Sequence, residues 1–213
     1  MALKRIKCKN REEWLSKRSI GIGASESAAI IGQSPWMTTQ ELWKLKTGSA
    51  PSQDLSDNEA VQTGVRLEPA LRELFKAAHP EFKVTHEPFD MWYQSERPWM
   101  YATLDGRIKT EDGKMAILEI KTGTPSGKLG WDKWNGQLPQ NYYVQCCHQM
   151  ACLDYDFVIV FACLFNQEQD FVCREYRLEK ADMQRDIDYL IRKEKAFWNS
   201  VQSKTLPPMT LVL

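Results

Sequence analysis

The stretch 104-LDGRIKTEDGKMAILEIKTG-123 constrains the fold most, because an apolar run in it ends with two opposite charges. Residues 115–120 predict a buried strand, and Glu119 and Lys121 stand at its end. Side chains alternate across a strand, so these two charges project to the same face. A hairpin turn in the middle of the stretch would bring the strand ending at Asp105 alongside. The stretch therefore predicts two carboxylates and one ammonium at one place on a sheet.

The predicted cluster of Asp105, Glu119 and Lys121 suits metal-dependent chemistry. Two carboxylates at the edge of an apolar sheet repel, and the pKa of each is raised unless a cation neutralises them. Such oxygen ligands suit Mg²⁺, with Mn²⁺ as a substitute, and both ions keep positions for water and phosphate. The Lys121 ammonium can orient that water and stabilise charge on a phosphate. The alternative is a Glu-Lys pair on a half-exposed strand, with an ordinary turn at Asp105.

Length and charge bound the class of protein. The 213 residues, 43% of them hydrophobic, are enough for one substantial core, so one domain over residues 1–213 is expected. The 28 basic and 28 acidic residues cancel, so composition alone indicates no polyanionic partner. Residues 1–18 are locally basic, which fits either a solvated terminus or a phosphate-facing patch. No secretory signal or membrane-length apolar segment is visible, so a cytoplasmic protein without membrane contact is expected.

The cysteines and histidines do not indicate a metal site of their own. Six cysteines show no CxxC pair and, in a cytosolic chain, are expected to be reduced core residues. An iron-sulfur cluster would need four converging thiolates, and the spacing of Cys146, Cys147 and Cys152 does not favour it. The three histidines are scattered along the chain, so no histidine-based site is predicted.

Hydrophobic periodicity and turn signals predict an α/β (α+β) fold with helices flanking mainly sequential strands. Helices are predicted at residues 11–18, 28–31, 38–48, 64–78, 139–153 and about 180–201, and strands at 81–89, 98–106, 115–121, 157–165 and 171–176. Segments 49–59 and 122–136 are predicted to be loops. In strand 115–121, Ile117 should share the charged face, whereas Leu118 and Ile120 should lie on the other. Pro69 places Glu68 at a helix start or at a kink.

Loop 122–136 carries cations between aromatic side chains. Lys128 and Lys133 alternate there with Trp131 and Trp134. Cations and aromatic planes suit a DNA backbone and splayed bases. Tryptophans packed under a loop are the equally common alternative.

The order Asp105, hairpin, Glu119-Ile120-Lys121 resembles the PD-(D/E)XK nuclease superfamily, with Leu104 in place of its proline. Five spaced blocks are similar to the lambda-exonuclease or YqaJ-like viral recombinase branch of that superfamily. They are 14-WLSKRSIGIGASESAAIIGQSPWMTTQELWKLKTG-48, 64-GVRLEP-69, 102-ATLDG-106, 118-LEIKTG-123 and 142-YYVQCCHQM-150. The resemblance implies a restriction-endonuclease-like core, in which a mixed central sheet is flanked by helices.

The resemblance also assigns roles to residues outside the hairpin. Glu68 joins Asp105, Glu119 and the Ile120 carbonyl as a metal ligand, although a first-turn Glu favoured by the helix dipole explains it as simply. Gln145 is implied near the catalytic lysine, the alternative being a polar residue on an amphipathic helix.

Arg18 and Ser25 resemble the residues of this family that hold a terminal 5′-phosphate. Ser25 follows a glycine-rich turn before a predicted helix, where free amides favour a phosphate. An N-cap serine and a surface arginine are the alternative.

The implied function is a Mg²⁺-dependent 5′-to-3′ exonuclease on linear double-stranded DNA with a 5′-phosphate. It would leave 3′ single strands for phage-type recombination beside a single-strand annealing protein, and the resemblance implies a homotrimeric ring. The alternatives are a structure-specific endonuclease on the same fold and a non-catalytic DNA-binding module.

Overall fold

A computed structural model describes residues 2–51, 57–166, 168 and 170–208. In chain order the strands are β1 Leu3–Ile6, β2 Ile22–Gly23, β3 Lys83–Thr85, β4 Met91–Gln94, β5 Met100–Tyr101, β6 Gly106–Lys109, β7 Met115–Gly123, β8 Phe157–Phe165 and β9 Phe171–Glu179. The helices are α1 Arg11–Lys17, α2 Ser27–Ile30, α3 Thr39–Lys46, α4 Glu59–Ala78, α5 Gly127–Asp132, α6 Gln140–Leu153 and α7 Lys180–Gln202. Short 3-10 turns at 18–20 and 24–26 flank β2.

The main sheet has five strands in the order β3-β6-β7-β8-β9. β7 and β8 pair in parallel, and the other neighbours pair antiparallel. The parallel pair is joined by the crossover that contains α6, as parallel strands require. The mixed central sheet and flanking helices confirm the predicted fold class. Two small sheets, β1-β4 and β2-β5, lie outside it.

The two faces of β7 pack against different helices, as the alternation of its side chains predicted. Ile117 is fully buried in the cluster formed by α2, α6 and α7. Leu118 and Ile120 lie on the opposite face with Leu71 and Phe75 of α4. Because both faces are covered, β8 can be a continuous apolar strand. The end of β7 therefore lies between two apolar clusters, where unpaired charges are energetically costly.

The helix that carries Glu68 begins earlier than predicted. α4 starts at Glu59, and Asn58 caps it by accepting a hydrogen bond from the Val61 N–H. Pro69 lies inside this helix, so of the two alternatives predicted for Glu68, a helix start or a kink, the helix start is wrong. The asparagine cap, not the proline, sets the start, and Pro69 removes the N–H that would bond to the carbonyl four residues before it.

Several other boundaries also differ from the predictions. Of the strand predicted over 98–106, only Met100–Tyr101 forms β5. Asp105 directly precedes β6 and does not end a strand. The predicted loop 122–136 contains α5, and β7 runs on to Gly123. Strand β9 extends to Glu179. Within the predicted loop 49–59, residues 52–56 lie outside the described residues.

The remaining predictions on helices and cysteines are confirmed. Thr38 and Glu41 form the capping box of α3, and Gly48 after it has a φ of 72°. The six cysteines are free, and all but Cys173 are buried. Among the described residues, no helix combines the length and apolar character needed to cross a bilayer.

Candidate active site

A cavity of about 210 Å³ opens where β7 leaves the main sheet beside α4 and α6. Its lining consists of Gly64, Glu68, Asp105, Glu119, Ile120, Lys121, Thr122 and Gln145. Every residue to which the sequence assigned a catalytic or metal-binding role is in this set. The fold thus brings together side chains from one helix, two strand ends and a second helix.

The side chain of Asp105 is held against β7 by a hydrogen bond from the β7 backbone. Its Oδ2 accepts a hydrogen bond of 2.7 Å from the backbone N–H of Ile120. The next residue, Gly106, pairs with Leu118, and a Cβ there would meet the Leu118 side chain at 3.2 Å. Burial raises the pKa of Asp105, and the carboxylates of Glu119 and Glu68 raise it further. This site therefore carries an excess of negative charge next to Asp105.

Glu119 is 2% exposed and accepts hydrogen bonds at both carboxylate oxygens. Its Oε1 accepts from the Lys121 ammonium and, at 2.6 Å, from Gln145 Nε2. Its Oε2 accepts from Gln149 Nε2 at 2.5 Å. A buried carboxylate is tolerated when charge-assisted hydrogen bonds of this kind satisfy it. The two glutamines hold Glu119 in one orientation toward the cavity.

Lys121 projects over the same cavity from the end of β7. Its Nζ donates to Gln145 Oε1 at 3.1 Å and lies 4.9 Å from the centre of the Tyr142 ring. Burial alone would lower the pKa of Lys121, but the carboxylates of Glu119 and Asp105 hold it above its usual value. In this structure Lys121 is therefore an ammonium whose direction is fixed by Glu119 and Gln145.

Glu68 faces the cavity from α4 and is held by Arg72, one turn further along the helix. Arg72 Nη2 forms an ion pair with Glu68 Oε1, and its Nε donates to the Asp105 carbonyl at 2.6 Å. Arg72 is 7% exposed. This arginine thus joins the helix to the start of β6 and fixes the spacing between two of the carboxylates.

The donor set fits a hard divalent cation. Three carboxylates and the Lys121 ammonium line one cavity, and carboxylate oxygens are the ligands such ions prefer. In the described ranges, no three His, Cys, Asp or Glu side chains converge on a single point as a formed metal-binding group. Glu68 is turned to Arg72 and Glu119 to Lys121, so internal cations hold the carboxylates in this structure.

The two residues assigned to a 5′-phosphate flank the glycine-rich turn, Arg18 before it and Ser25 after it. Arg18 follows α1, and its guanidinium stands 4.9 Å from the centre of the Trp14 ring. Ser25 is exposed in the 3-10 turn before α2. The turn needs Gly21, since a Cβ there would stand 2.4 Å from the Trp99 carbonyl oxygen. Because α2 has only four residues, a helix dipole adds little at Ser25.

The four residues assigned to the aromatic loop have different surroundings. Lys128 and Lys133 are exposed. Trp131 is half-buried, with the Arg174 guanidinium 5.6 Å from its ring. Trp134 is 5% exposed and packs 5.5 Å from the Tyr142 ring, so the packing alternative describes it. Its ring supports Tyr142, which in turn contacts Lys121.

Sequence reasoning missed Arg72, Gln149 and Tyr142. Arg72 lies four residues after Glu68, and Gln149 lies four residues after Gln145. Residues at this spacing share one helix face, so the helical period could have found both. Tyr142 was quoted in a matching block, but no local signal indicates its contact with Lys121.

Comparison with known protein families decides the membership of this chain. Residues 13–156 match the profile described as the YqaJ-like viral recombinase domain. The chain belongs to the YqaJ-like viral recombinase family. The matched segment contains Glu68, Asp105, Glu119, Lys121 and Gln145. Arg18 and Ser25 also lie within it.

A relative and two solved structures agree with this membership. The chain is 30% identical over 190 residues to the uncharacterized protein YqaJ of Bacillus subtilis (strain 168), covering 89% of this chain and 56% of that protein. It thus spans little more than half the length of that relative. An alkaline exonuclease from Laribacter hongkongensis superposes with a TM-score of 0.66 at 19% identity, over 91% of this chain and 94% of that one. A phage-related exonuclease from Haemophilus somnus 129PT gives 0.57 at 12% identity, over 86% and 96%. The two structural likenesses show that this chain shares the fold of those two proteins.

Proposed function

We propose that this protein is a divalent-metal-dependent nuclease that degrades one strand of linear duplex DNA from a 5′-phosphorylated end. The observation that carries the proposal is the cavity that collects Glu68, Asp105, Glu119, Lys121 and Gln145. Membership in a viral recombinase family supports a DNA substrate. The alkaline exonuclease with the same fold has also been solved in complex with dAMP, a mononucleotide.

Glu68, Asp105, Glu119 and the Ile120 carbonyl would hold Mg²⁺, for which Mn²⁺ should substitute. When bound, the ion supplies positive charge for the phosphate and lowers the pKa of a water molecule. Gln149 and Arg72 keep two of these carboxylates oriented, which is the usual role of residues behind metal ligands.

Lys121 and Gln145 would position the attacking water. The Lys121 ammonium and the Gln145 amide already contact each other and the same Glu119 oxygen, so their directions are set before DNA binds. The water oxygen forms a bond to phosphorus as the bond from phosphorus to the 3′-oxygen breaks. The water loses a proton to solvent, and the 3′-oxygen takes a proton from solvent and leaves as a hydroxyl. The Lys121 ammonium stabilises charge that develops on the phosphate. The products are a 5′-mononucleotide or short fragment and a strand whose new end again carries a 5′-phosphate.

Arg18 and Ser25 would bind that terminal phosphate. Arg18 is partly exposed and Ser25 is exposed, and guanidinium groups suit phosphate oxygens. Lys128 in α5 and Lys133 directly after it are exposed and would contact the DNA backbone together with Trp131. The family resemblance implies the 5′-to-3′ direction, which is the direction expected if the terminal 5′-phosphate binds at Arg18 and Ser25.

The family resemblance extends the proposal to partners. A homotrimeric ring would enclose the duplex, and a single-strand annealing protein would take the 3′ strand that remains. Light scattering coupled to size exclusion tests the trimer.

A digestion experiment tests the proposed activity. Linear duplex DNA with 5′-phosphate or 5′-hydroxyl ends is incubated with Mg²⁺ or with chelator, beside a closed circular control. We expect mononucleotide release only with Mg²⁺, and faster release from 5′-phosphorylated than from 5′-hydroxyl linear DNA. Cleavage of the circle would instead indicate an endonuclease, and binding of linear DNA without nucleotide release would indicate a non-catalytic module.

A further inference from the structure

A buried carboxylate separates two cations beside the proposed phosphate site. Lys46 Nζ, at the end of α3, lies 2.7 Å from Glu26 Oε2, whereas Arg18 Nη2 lies 3.5 Å from Glu26 Oε1. The Glu26 carboxylate is therefore paired mainly with Lys46. The side chain of Lys46 is 5% exposed and that of Glu26 is 16% exposed. Arg18, at 32%, is the member of the group that reaches solvent.

The same lysine also fixes the backbone of Arg18. Lys46 Nζ donates to the Arg18 carbonyl at 2.9 Å, and the Tyr101 hydroxyl donates to that carbonyl at 3.0 Å. Glu26 in turn accepts the Gly23 N–H at 2.9 Å, which holds the glycine-rich turn. Glu26 thus has a structural reason to stay in the site, although its charge opposes an anionic ligand.

We infer that Lys46 is a positioning residue that takes up the charge of Glu26, so that Arg18 keeps its positive charge for the DNA 5′-phosphate. The inference rests on the proposed function, which places that phosphate at Arg18 and Ser25. With Lys46 present, the three side chains carry one net positive charge facing solvent.

Without Lys46, Arg18 would become the nearest cation to Glu26 among the described residues. A poorly hydrated carboxylate gains most from a close pair, so Glu26 would draw the guanidinium inward from 3.5 Å. A neutral Arg18–Glu26 pair would offer the phosphate little attraction. The sequence could not indicate this, because Arg18, Glu26 and Lys46 are brought together only by the fold.

The test compares Lys46→Met with the double variant Lys46→Met/Glu26→Gln. Methionine keeps most of the side-chain length but not the charge. We expect the single variant to raise KM for 5′-phosphorylated duplex about tenfold, the scale of one charged contact, and to leave KM for 5′-hydroxyl duplex unchanged. The double variant should recover the phosphate preference, because Arg18 then has no carboxylate to neutralise it. Lys46→Arg should resemble wild type.

A matched control is Lys44→Met, an exposed lysine on the same helix, which should keep the wild-type ratio of the two KM values. A merely structural role of Lys46 would lower activity on both kinds of end and would not be corrected by removing the charge of Glu26. If Lys46→Met fails to fold by circular dichroism, Glu26→Gln alone decides the question. It should keep or strengthen the preference for phosphorylated ends, and loss of that preference would overturn the inference.

The outcomes separate this inference from the proposed function. If wild type prefers phosphorylated ends and Lys46→Met keeps that preference, the inference is overturned and the proposed function stands. If wild type does not distinguish the two ends, the proposed phosphate site is overturned and the inference falls with it.

Discussion

Asp105 and Ile120 are joined by a 2.7 Å hydrogen bond from the backbone N–H of Ile120 to Asp105 Oδ2. This bond ties the start of β6 to the end of β7, between the two charged side chains Glu119 and Lys121. An asparagine can accept the same hydrogen bond but carries no charge. The pair therefore allows the charge of Asp105 to be tested separately from its structural contact.

Asp105→Asn is expected to fold and to lose activity. Burial and the nearby carboxylates raise the pKa of Asp105, so its ionised form is less favourable in the folded than in the unfolded state. The free energy of unfolding is therefore lowered as the pH rises through the raised pKa. Removing the charge should leave the melting temperature in chelator equal or higher at neutral pH. Nuclease activity should fall at least about a hundredfold, since a proposed metal ligand is removed. A lower melting temperature would show that the hydrogen bond depends on the carboxylate charge.

Lys121→Ala is expected to abolish turnover while DNA binding stays close to wild type. The ammonium is fixed by Glu119 and Gln145 within the cavity and would act on the attacking water, not on the duplex as a whole. Binding is measured by fluorescence anisotropy in chelator, and turnover by nucleotide release. Near-wild-type turnover in this variant would remove Lys121 from the mechanism.

Gln149→Leu tests the support of Glu119. The substitution leaves Glu119 Oε2 without its 2.5 Å donor, which should cost about 1–3 kcal/mol of unfolding free energy. Activity should fall roughly ten- to hundredfold, as for residues that orient metal ligands. Gln140→Leu, an exposed position on the same helix, is the control and should match wild type. Equal effects of the two substitutions would mean that Gln149 does not orient Glu119.

The buried pair of His148 and Glu194 predicts a pH dependence of stability. His148 Nδ1 lies 2.8 Å from Glu194 Oε1, and its Nε2 lies 2.9 Å from the Tyr101 carbonyl oxygen. Burial alone would lower the pKa of His148, but the Glu194 carboxylate raises it well above its usual value. The stabilisation is therefore complete below the unfolded-state pKa of about 6.5 and is lost as pH rises through the higher folded-state pKa.

Urea unfolding of wild type and His148→Gln over a pH series measures this effect. Wild type should lose unfolding free energy as the pH becomes alkaline, and the variant should lose less because glutamine does not titrate. Parallel pH profiles would show that the pair does not exchange its proton in this range.

Arg18→Ala should reduce activity on 5′-phosphorylated ends more than on 5′-hydroxyl ends. The reason is that Arg18 is partly exposed and is the cation proposed to bind the terminal phosphate. The ratio of kcat/KM for the two substrates is the measurement. Equal losses of activity on both kinds of end would show that Arg18 does not bind the terminal phosphate.

The sequence predicted the part of the site that local periodicity determines. Alternation along β7 placed Glu119 and Lys121 on one face and Leu118 on the other, and the structure agrees. The hairpin then brought Asp105 to them. These relationships depend on neighbours within about twenty residues of chain.

Contacts between distant segments could not be predicted in the same way. The start of α4 depends on the Asn58 cap, but Asn58 falls in the loop predicted over 49–59. Lys46 reaches Arg18 and Glu26 only because α3 folds back beside the glycine-rich turn. Trp134 was predicted to contact DNA because it is an aromatic residue in a loop, but it is buried and packs against Tyr142 and Tyr176.

The most direct measurement of the central claim is anomalous diffraction from a crystal soaked in Mn²⁺. The account expects one or two manganese ions in the cavity, within coordination distance of Glu68, Asp105 and Glu119, with Lys121 beside them. A fully soaked crystal in which no manganese contacts these three carboxylates would contradict it.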